Sequence, residues 1–368
     1  MIVRHSASLL LALLLSSACS PSPGSGSALP SPTPPLSPTQ TASPVAPAGN
    51  QSGAFGVLIT PPENATYTIT LVGTDGGIAA TARAAGFLAS PTCAGIAKPV
   101  LPLPVSTSNT RVYFMDNAGL VHFLDTRGEA GSVATLPHGP GVRSMFAVRP
   151  DDKAMAVVVS TFSATTEHAT LYLYDLVART SVKVFDQTAT SGLWPIGWHG
   201  GSLVVGKTRA CSTGSALGCC GPTELHVVDP ITAVRRLTIG GGTCMVAGPS
   251  VPAGTPCLEP CDCGDSISLR NWSDVQFGTA EMEGGPPLFI SPDGRTVLAR
   301  WPNTGRALLL EGGGPTPTMG ICGWIDNDTI LGPSGDVSTQ AQVGNMVSGK
   351  VKPVAALGTC AGRIPGGL

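Results

Sequence analysis

The feature that most constrains this chain is a repeated ending. "YTITLVGTDGG" (67–77), "VHFLDTRGE" (121–129), "LYLYDLVART" (171–180) and "LHVVDPITAV" (225–234) are each a β-rich run closed by Asp and a turn. Weaker copies follow in "ISLRNWSDV" (267–275), "ALLLEGGG" (307–314) and "AQVGNMVSG" (341–349). From Asp75 to Asn345 the copies recur about every 45 residues, the spacing of one four-stranded blade per repeat. Ahead of several copies stands a second unit of strand, polar turn and strand: "FAVRPDDKAMAVVVS" (146–160), "IGWHGGSLVVG" (196–206), "FISPDGRTVLAR" (289–300) and "CGWIDNDTILG" (322–332). The Asp and Gly residues of "PDDK", "PDGR" and "DNDT" suit hairpin turns. They lack the alternating acidic positions and the fixed later Glu of a calcium loop. The reading is an all-β chain folded as a β-propeller, with seven four-stranded blades expected and six or eight as the alternatives. "GAFGVLITP" (53–61) is the segment expected to close the ring.

"SPDGRTVLA" and the looser "RPDDKAMAV" resemble the WD-repeat-like propellers, above all the TolB-type repeats of bacterial envelope proteins. The resemblance spans roughly residues 52–357. It implies a propeller outside the cytoplasm and assigns no residue a role. The Gly-His and terminal Trp-Asp pairs of true WD repeats are missing.

The N-terminus supports export. Arg4 and His5 precede an apolar run, Leu9 to Leu15, which is too short for the roughly 20 apolar residues of a membrane span. "LSSAC" resembles the lipobox of bacterial lipoproteins, in which the cysteine is lipidated and becomes the mature N-terminus. That resemblance makes residues 1–18 a signal peptide and Cys19 the lipid attachment. Ser16 and Ala18 also satisfy an ordinary cleavage site, which would give a secreted protein. Residues 19–51 form an uncharged linker, with nine prolines between Ser20 and Asn50. Such a composition cannot bury a core. Residues 52–368 are then one propeller domain.

Ten cysteines remain beyond Cys19: Cys93, Cys211, Cys219, Cys220, Cys244, Cys257, Cys261, Cys263, Cys322 and Cys360. An even set in an exported chain reads as disulfides. Seven of them fall in the Gly- and Pro-rich insertions at about 209–266, so complete pairing requires at least one bridge leaving that cluster. Cys93 lies just after the first repeat and Cys360 just after the last. In a closed ring these are neighbours, and a Cys93–Cys360 bridge is expected, with Cys322 competing for either partner. The spacings in "CLEPCDC" and "CC" do not match a tetrahedral thiolate site, so no metal is assigned.

The search for chemistry is short. No nucleophile elbow, zinc helix or phosphate loop occurs in the folded region. His122, His138, His168, His199 and His226 are scattered, and the pairs Asp151–Asp152 and Asp326–Asp328 sit in turns. No catalytic residue and no cofactor is assigned. Trp198 and Trp324 occupy matching places and are expected to pack between blades. The net charge of −2 carries no basic face for nucleic acid. The chain reads as a binding or scaffolding module of the cell envelope, anchored to the membrane by lipid, with an unknown protein or carbohydrate ligand. The alternative is an extracytoplasmic propeller enzyme, a carbohydrate hydrolase or lyase. Mass spectrometry of the mature N-terminus should find a diacylated Cys19. Cys19→Ala should move the protein from the membrane to the soluble fraction without changing its melting temperature.

Overall fold

The computed structural model describes residues 53–60, 66–86, 93, 98–99, 102–163, 165–212, 222–241, 244–258, 266–281, 288–299, 307–309, 317–333, 340–362 and 368. Regular structure among these residues is all β, in antiparallel sheets numbered here along the chain. Sheet 1 holds Phe55–Ile59, Thr66–Gly73 and Ile78–Ala85, with the late strand Thr359–Gly362 on its inner edge. Sheets 2, 3, 4 and 5 each have four strands, over residues 105–135, 142–189, 191–240 and 245–281. Sheet 6 has three described strands, Leu288–Ile290, Thr296–Ala299 and Ala307–Leu309. Sheet 7 has four, over residues 323–357.

Each sheet packs face to face with the next, as in a β-propeller. Ile69 and Leu71 meet Phe114 and Leu124 between sheets 1 and 2, and Tyr113 and Val121 meet Phe146 and Val157 between 2 and 3. Similar apolar seams join 3 to 4, 4 to 5, 5 to 6 and 6 to 7. The last seam brings Leu331 and Val343 of sheet 7 against Leu58 and Val72 of sheet 1, which closes the ring. Phe55–Ile59 does take part in the closure, but as the second strand of its sheet. The strand that seals it is Thr359–Gly362, with Leu58 opposite Cys360 and Ile59 opposite Thr359. "IAATARAA" forms strand Ile78–Ala85, paired with Thr66–Gly73, with its apolar positions packed on the seam.

The repeated Asp is a turn cap. Asp125 Oδ1 accepts the Arg127 and Glu129 amides, Asp175 Oδ1 those of Val177 and Ala178, and Asp229 Oδ1 those of Ile231 and Thr232. Asp75 does the same for Gly77, Asn271 for Ser273 and Val275, and Asn345 for Ser348. A short side-chain carbonyl or carboxylate folds back on its own backbone here, closing the turn between the third and fourth strands. Asp151, Asp293 and Asp326 likewise cap the earlier hairpins through the amides of Lys153, Arg295 and Asp328.

The two matched tryptophans fasten neighbouring inner strands. Trp198 of sheet 4 is 2% exposed, and its Nε1–H donates to the Ala147 carbonyl of sheet 3 at 3.0 Å. Trp324 of sheet 7 is 5% exposed and donates to the Phe289 carbonyl of sheet 6 at 3.1 Å. Trp198→Phe keeps most of the ring volume but strands a buried carbonyl. It should cost about 1–3 kcal/mol, read as a lower urea midpoint at unchanged slope.

Candidate functional site

Disulfides and a short ribbon define one end of the ring. Cys93 is bonded to Cys211, with Cα atoms 6.1 Å apart. Beside that bond, Lys98–Pro99 pairs with Cys211–Ser212 as a two-stranded ribbon. Cys93 follows sheet 1, whereas Cys211 follows the second strand of sheet 4, so the bond ties parts of the ring that are not neighbours. This corrects the expected Cys93–Cys360 pairing. Cys93 and Lys98–Pro99, which follow sheet 1 in the chain, are joined to Cys211–Ser212 and not to the closing strand. Cys211 is thus one residue of the 209–266 cluster that bridges outside it. The second bond, Cys244–Cys257, joins the first two strands of sheet 5. Cys257 therefore starts "CLEPCDC" on a strand, Thr255–Leu258, inside the Gly- and Pro-rich stretch. Cys19, Cys219, Cys220, Cys261 and Cys263 lie outside the described residues. Cys360 is described by its strand alone.

Next to the ribbon, a polar row lies on the face of sheet 3 that meets sheet 4. Along the inner strand, Arg143 shares its face with Met145 and Ala147; Ser160 shares its own with Ala156 and Val158; and Glu167 is in line with Ala169 and Leu171. All these apolar partners belong to the seam between sheets 3 and 4. Arg143 is 6% exposed and stands opposite Ser160 in the ladder. Glu167 is 2% exposed, and its Oε1 accepts from Ser160 Oγ at 2.5 Å. From sheet 4, the Leu193 amide donates to the same carboxyl. Gly192 lets the carboxyl approach closely: a Cβ there would lie 2.2 Å from Glu167 Oε2 and 3.1 Å from Thr208 Oγ1, so Glu167 would have to shift. Burial pushes the Glu167 carboxyl above the usual range despite its two donors. Burial likewise lowers the Arg143 guanidinium, whose Nη1 is enclosed and has no hydrogen-bond partner among the described residues. A guanidinium nitrogen in that state carries a desolvation cost that an acceptor brought from outside would relieve.

The histidines are less scattered than they look in sequence. His122 and His226 each stand three residues before the capping Asp, on the third strands of sheets 2 and 4. His122 Nδ1 lies 3.1 Å from Ser132 Oγ, and its Nε2 lies 3.0 Å from Asp116 Oδ2. Burial works against ionisation of Asp116. The hydrogen bonds from His122, Leu120 and Ala118 outweigh it and hold the carboxyl below its ordinary range. A carboxylate–imidazole–hydroxyl chain is the connectivity of a nucleophile relay. Parts of it recur. His226 pairs with Glu224 at 2.8 Å and faces Thr238 across the strand, while in sheet 3 His168 reaches Thr188 at 2.9 Å. Among the described residues the full carboxylate–imidazole–hydroxyl chain is seen at His122, while His226 shows the carboxylate contact and His168 the hydroxyl contact. His138 contacts the Leu136 carbonyl. His199 stacks on Trp272 and meets the Leu368 carbonyl. Asp152 accepts from Tyr113 and Thr110, linking sheet 3 to sheet 2. Among the described residues, no three His, Cys, Asp or Glu side chains are placed to hold a metal ion.

No family model and no curated protein matches the chain. Among solved structures it is similar to a chain of the mitotic checkpoint complex, at 12% identity and a TM-score of 0.43, covering 72% of this chain and 82% of that one. It is similar to oligogalacturonate lyase in complex with manganese at 11% identity and 0.37, covering 82% and 77%. It is also similar to the dihydro-heme d1 dehydrogenase NirN at 15% identity and 0.41, covering 86% and 76%.

The polar row has a sequence signal that is visible in retrospect: charged residues at the buried parity of otherwise apolar strands. A carboxyl whose folded-state pKa lies above its unfolded one stabilises the fold most fully when protonated, below the unfolded value. That contribution is lost as pH rises through the folded value. The stability of the protein should therefore fall as pH climbs from the ordinary carboxylate range through the raised pKa of Glu167. Glu167→Gln should flatten that part of the profile, measured as urea midpoints across the interval.

Proposed function

We propose that the protein is an exported, lipid-anchored β-propeller that binds an anionic ligand outside the cytoplasmic membrane. The TolB-type resemblance, the signal-like N-terminus and Cys19 support export and anchoring. Disulfide bonds, which persist in oxidising compartments, agree with that location. Sheet 6, packed on both faces, is counted as a seventh blade.

The observation that carries the binding role is the enclosed, unpartnered Nη1 of Arg143. A guanidinium recognises a carboxylate through parallel N–H···O bonds, and the ligand favoured here is an acidic carbohydrate. Ser160 and Thr208 add hydroxyls at the same seam, suited to a sugar's polar edge. Titration calorimetry with galacturonate and with neutral galactose tests the reading. Wild type should bind the acid and not the neutral sugar; Arg143→Met should abolish binding and Arg143→Lys weaken it. Equal response to both sugars, or none to either, overturns it.

A second reading, a carbohydrate lyase, is favoured by one observation. Glu167 shares this face with Arg143, so a proton acceptor and a group that neutralises a uronate carboxylate stand in one row. Turnover would appear as the ultraviolet absorbance of an unsaturated product on incubation with a uronic-acid polymer, and Glu167→Gln would abolish it.

A further inference from the structure

The seam that closes the ring contains a cysteine engaged in a disulfide bond, Cys322. It sits one residue before strand Gly323–Trp324 of sheet 7 and packs with Leu58, Ile325 and Leu331 in the apolar cluster between sheets 7 and 1. Its Sγ also lies 3.2 Å from the Leu331 carbonyl. Leu58 is on Phe55–Ile59, where alternate residues point to opposite faces. Val57 and Ile59 face sheet 2, and Leu58 faces sheet 7. The residue opposite Leu58 in the ladder is Cys360. Directly opposed residues of an antiparallel pair project from the same face, so Cys360 is placed on the face of sheet 1 that meets sheet 7. Its strand, Thr359–Gly362, packs against both Gly323–Trp324 and Thr329–Pro333.

We propose that Cys322 and Cys360 are bonded to each other, a covalent latch between the last sheet and the strand that seals the first. The other cysteines are placed elsewhere. Cys93 is joined to Cys211 and Cys244 to Cys257. In the chain, Cys219 and Cys220 fall between strands of sheet 4, and Cys261 and Cys263 between strands of sheet 5. Cys19 is the proposed lipid site.

The latch has a physical task. The closing strand has four residues, and its pairing with Phe55–Ile59 shifts register between Val57 and Leu58. Such a short, irregular ladder is a weak seal for a ring of this size, and local opening begins where backbone pairing is sparse. A bond from Cys322 to Cys360 keeps the strand beside its partner whenever the ladder opens. It makes integrity of the ring depend on the redox state of that one pair.

The direct test is peptide mapping of the full-length protein, thiol-blocked and digested with trypsin without reduction. Residues 307–350 contain Cys322 alone, and 351–363 contain Cys360 alone. The expected product is one linked species of these two fragments, which separates on reduction. Either fragment bearing a blocked thiol, or Cys322 linked to any other cysteine, overturns the proposal. A second measurement compares melting temperatures of Cys322→Ser, Cys360→Ser and the double variant. A shared bond predicts the same fall in all three, because breaking it once breaks it fully. A double variant that loses the sum of the two single losses overturns the latch.

Discussion

Everything in this fold depends on the apolar contact between one sheet and the next. A single four-stranded sheet here exposes two greasy faces and cannot persist in water. It becomes stable when both are covered, so stability is a property of the closed circle. That makes the last contact, Leu58 and Val72 against Leu331 and Val343, equal in weight to the other seams although its sealing strand comes from the far end of the chain. Gly56 shows how close the approach is: a Cβ there would lie 2.7 Å from Leu331 Cδ2. Tryptophan hydrogen bonds add direction to what is otherwise non-directional packing. Trp198 and Trp324 each fix one inner strand on the backbone of its predecessor.

What the sequence made legible follows from periodic chemistry. The capping Asp or Asn appears at Asp75, Asp125, Asp175, Asp229, Asn271 and Asn345 because its role is local: a side chain two to four residues from the amides it binds. Turns of this kind can be read without knowing the fold. The matched tryptophans were readable for the same reason, since equivalent positions repeat. Long-range choices were not. Cys93 could not be paired by its place in the repeat, because the pairing is set by how far a loop reaches over the end of the ring. The row of Arg143, Ser160 and Glu167 was missed because each residue is unremarkable on its own strand. Only parity shared across three strands, and closure by Gly192 of the next sheet, makes them a site.

The two polar systems differ in a way that bears on function. At the outer strands, His122 is bonded to a carboxylate and a hydroxyl and His226 to a carboxylate, so much of their hydrogen-bonding capacity is met within the protein. At the seam of sheets 3 and 4, demand and supply are unequal. Glu167 is served by Ser160 and Leu193, whereas Nη1 of Arg143 is left over. A satisfied network rigidifies a fold, and an unsatisfied one marks where another molecule can contribute.

The bond between Cys93 and Cys211 joins residues 118 positions apart, on either side of sheets 2 and 3. Docking of the intervening sheets holds these two distant sulfurs side by side and so favours the bond. The bond is therefore best held in the assembled ring, and a chain whose sheets 2 to 4 are misassembled does not keep the two sulfurs together. Oxidation at this end of the ring acts as a proofreading step, sealing chains that have reached the right topology and leaving the others open to rearrangement.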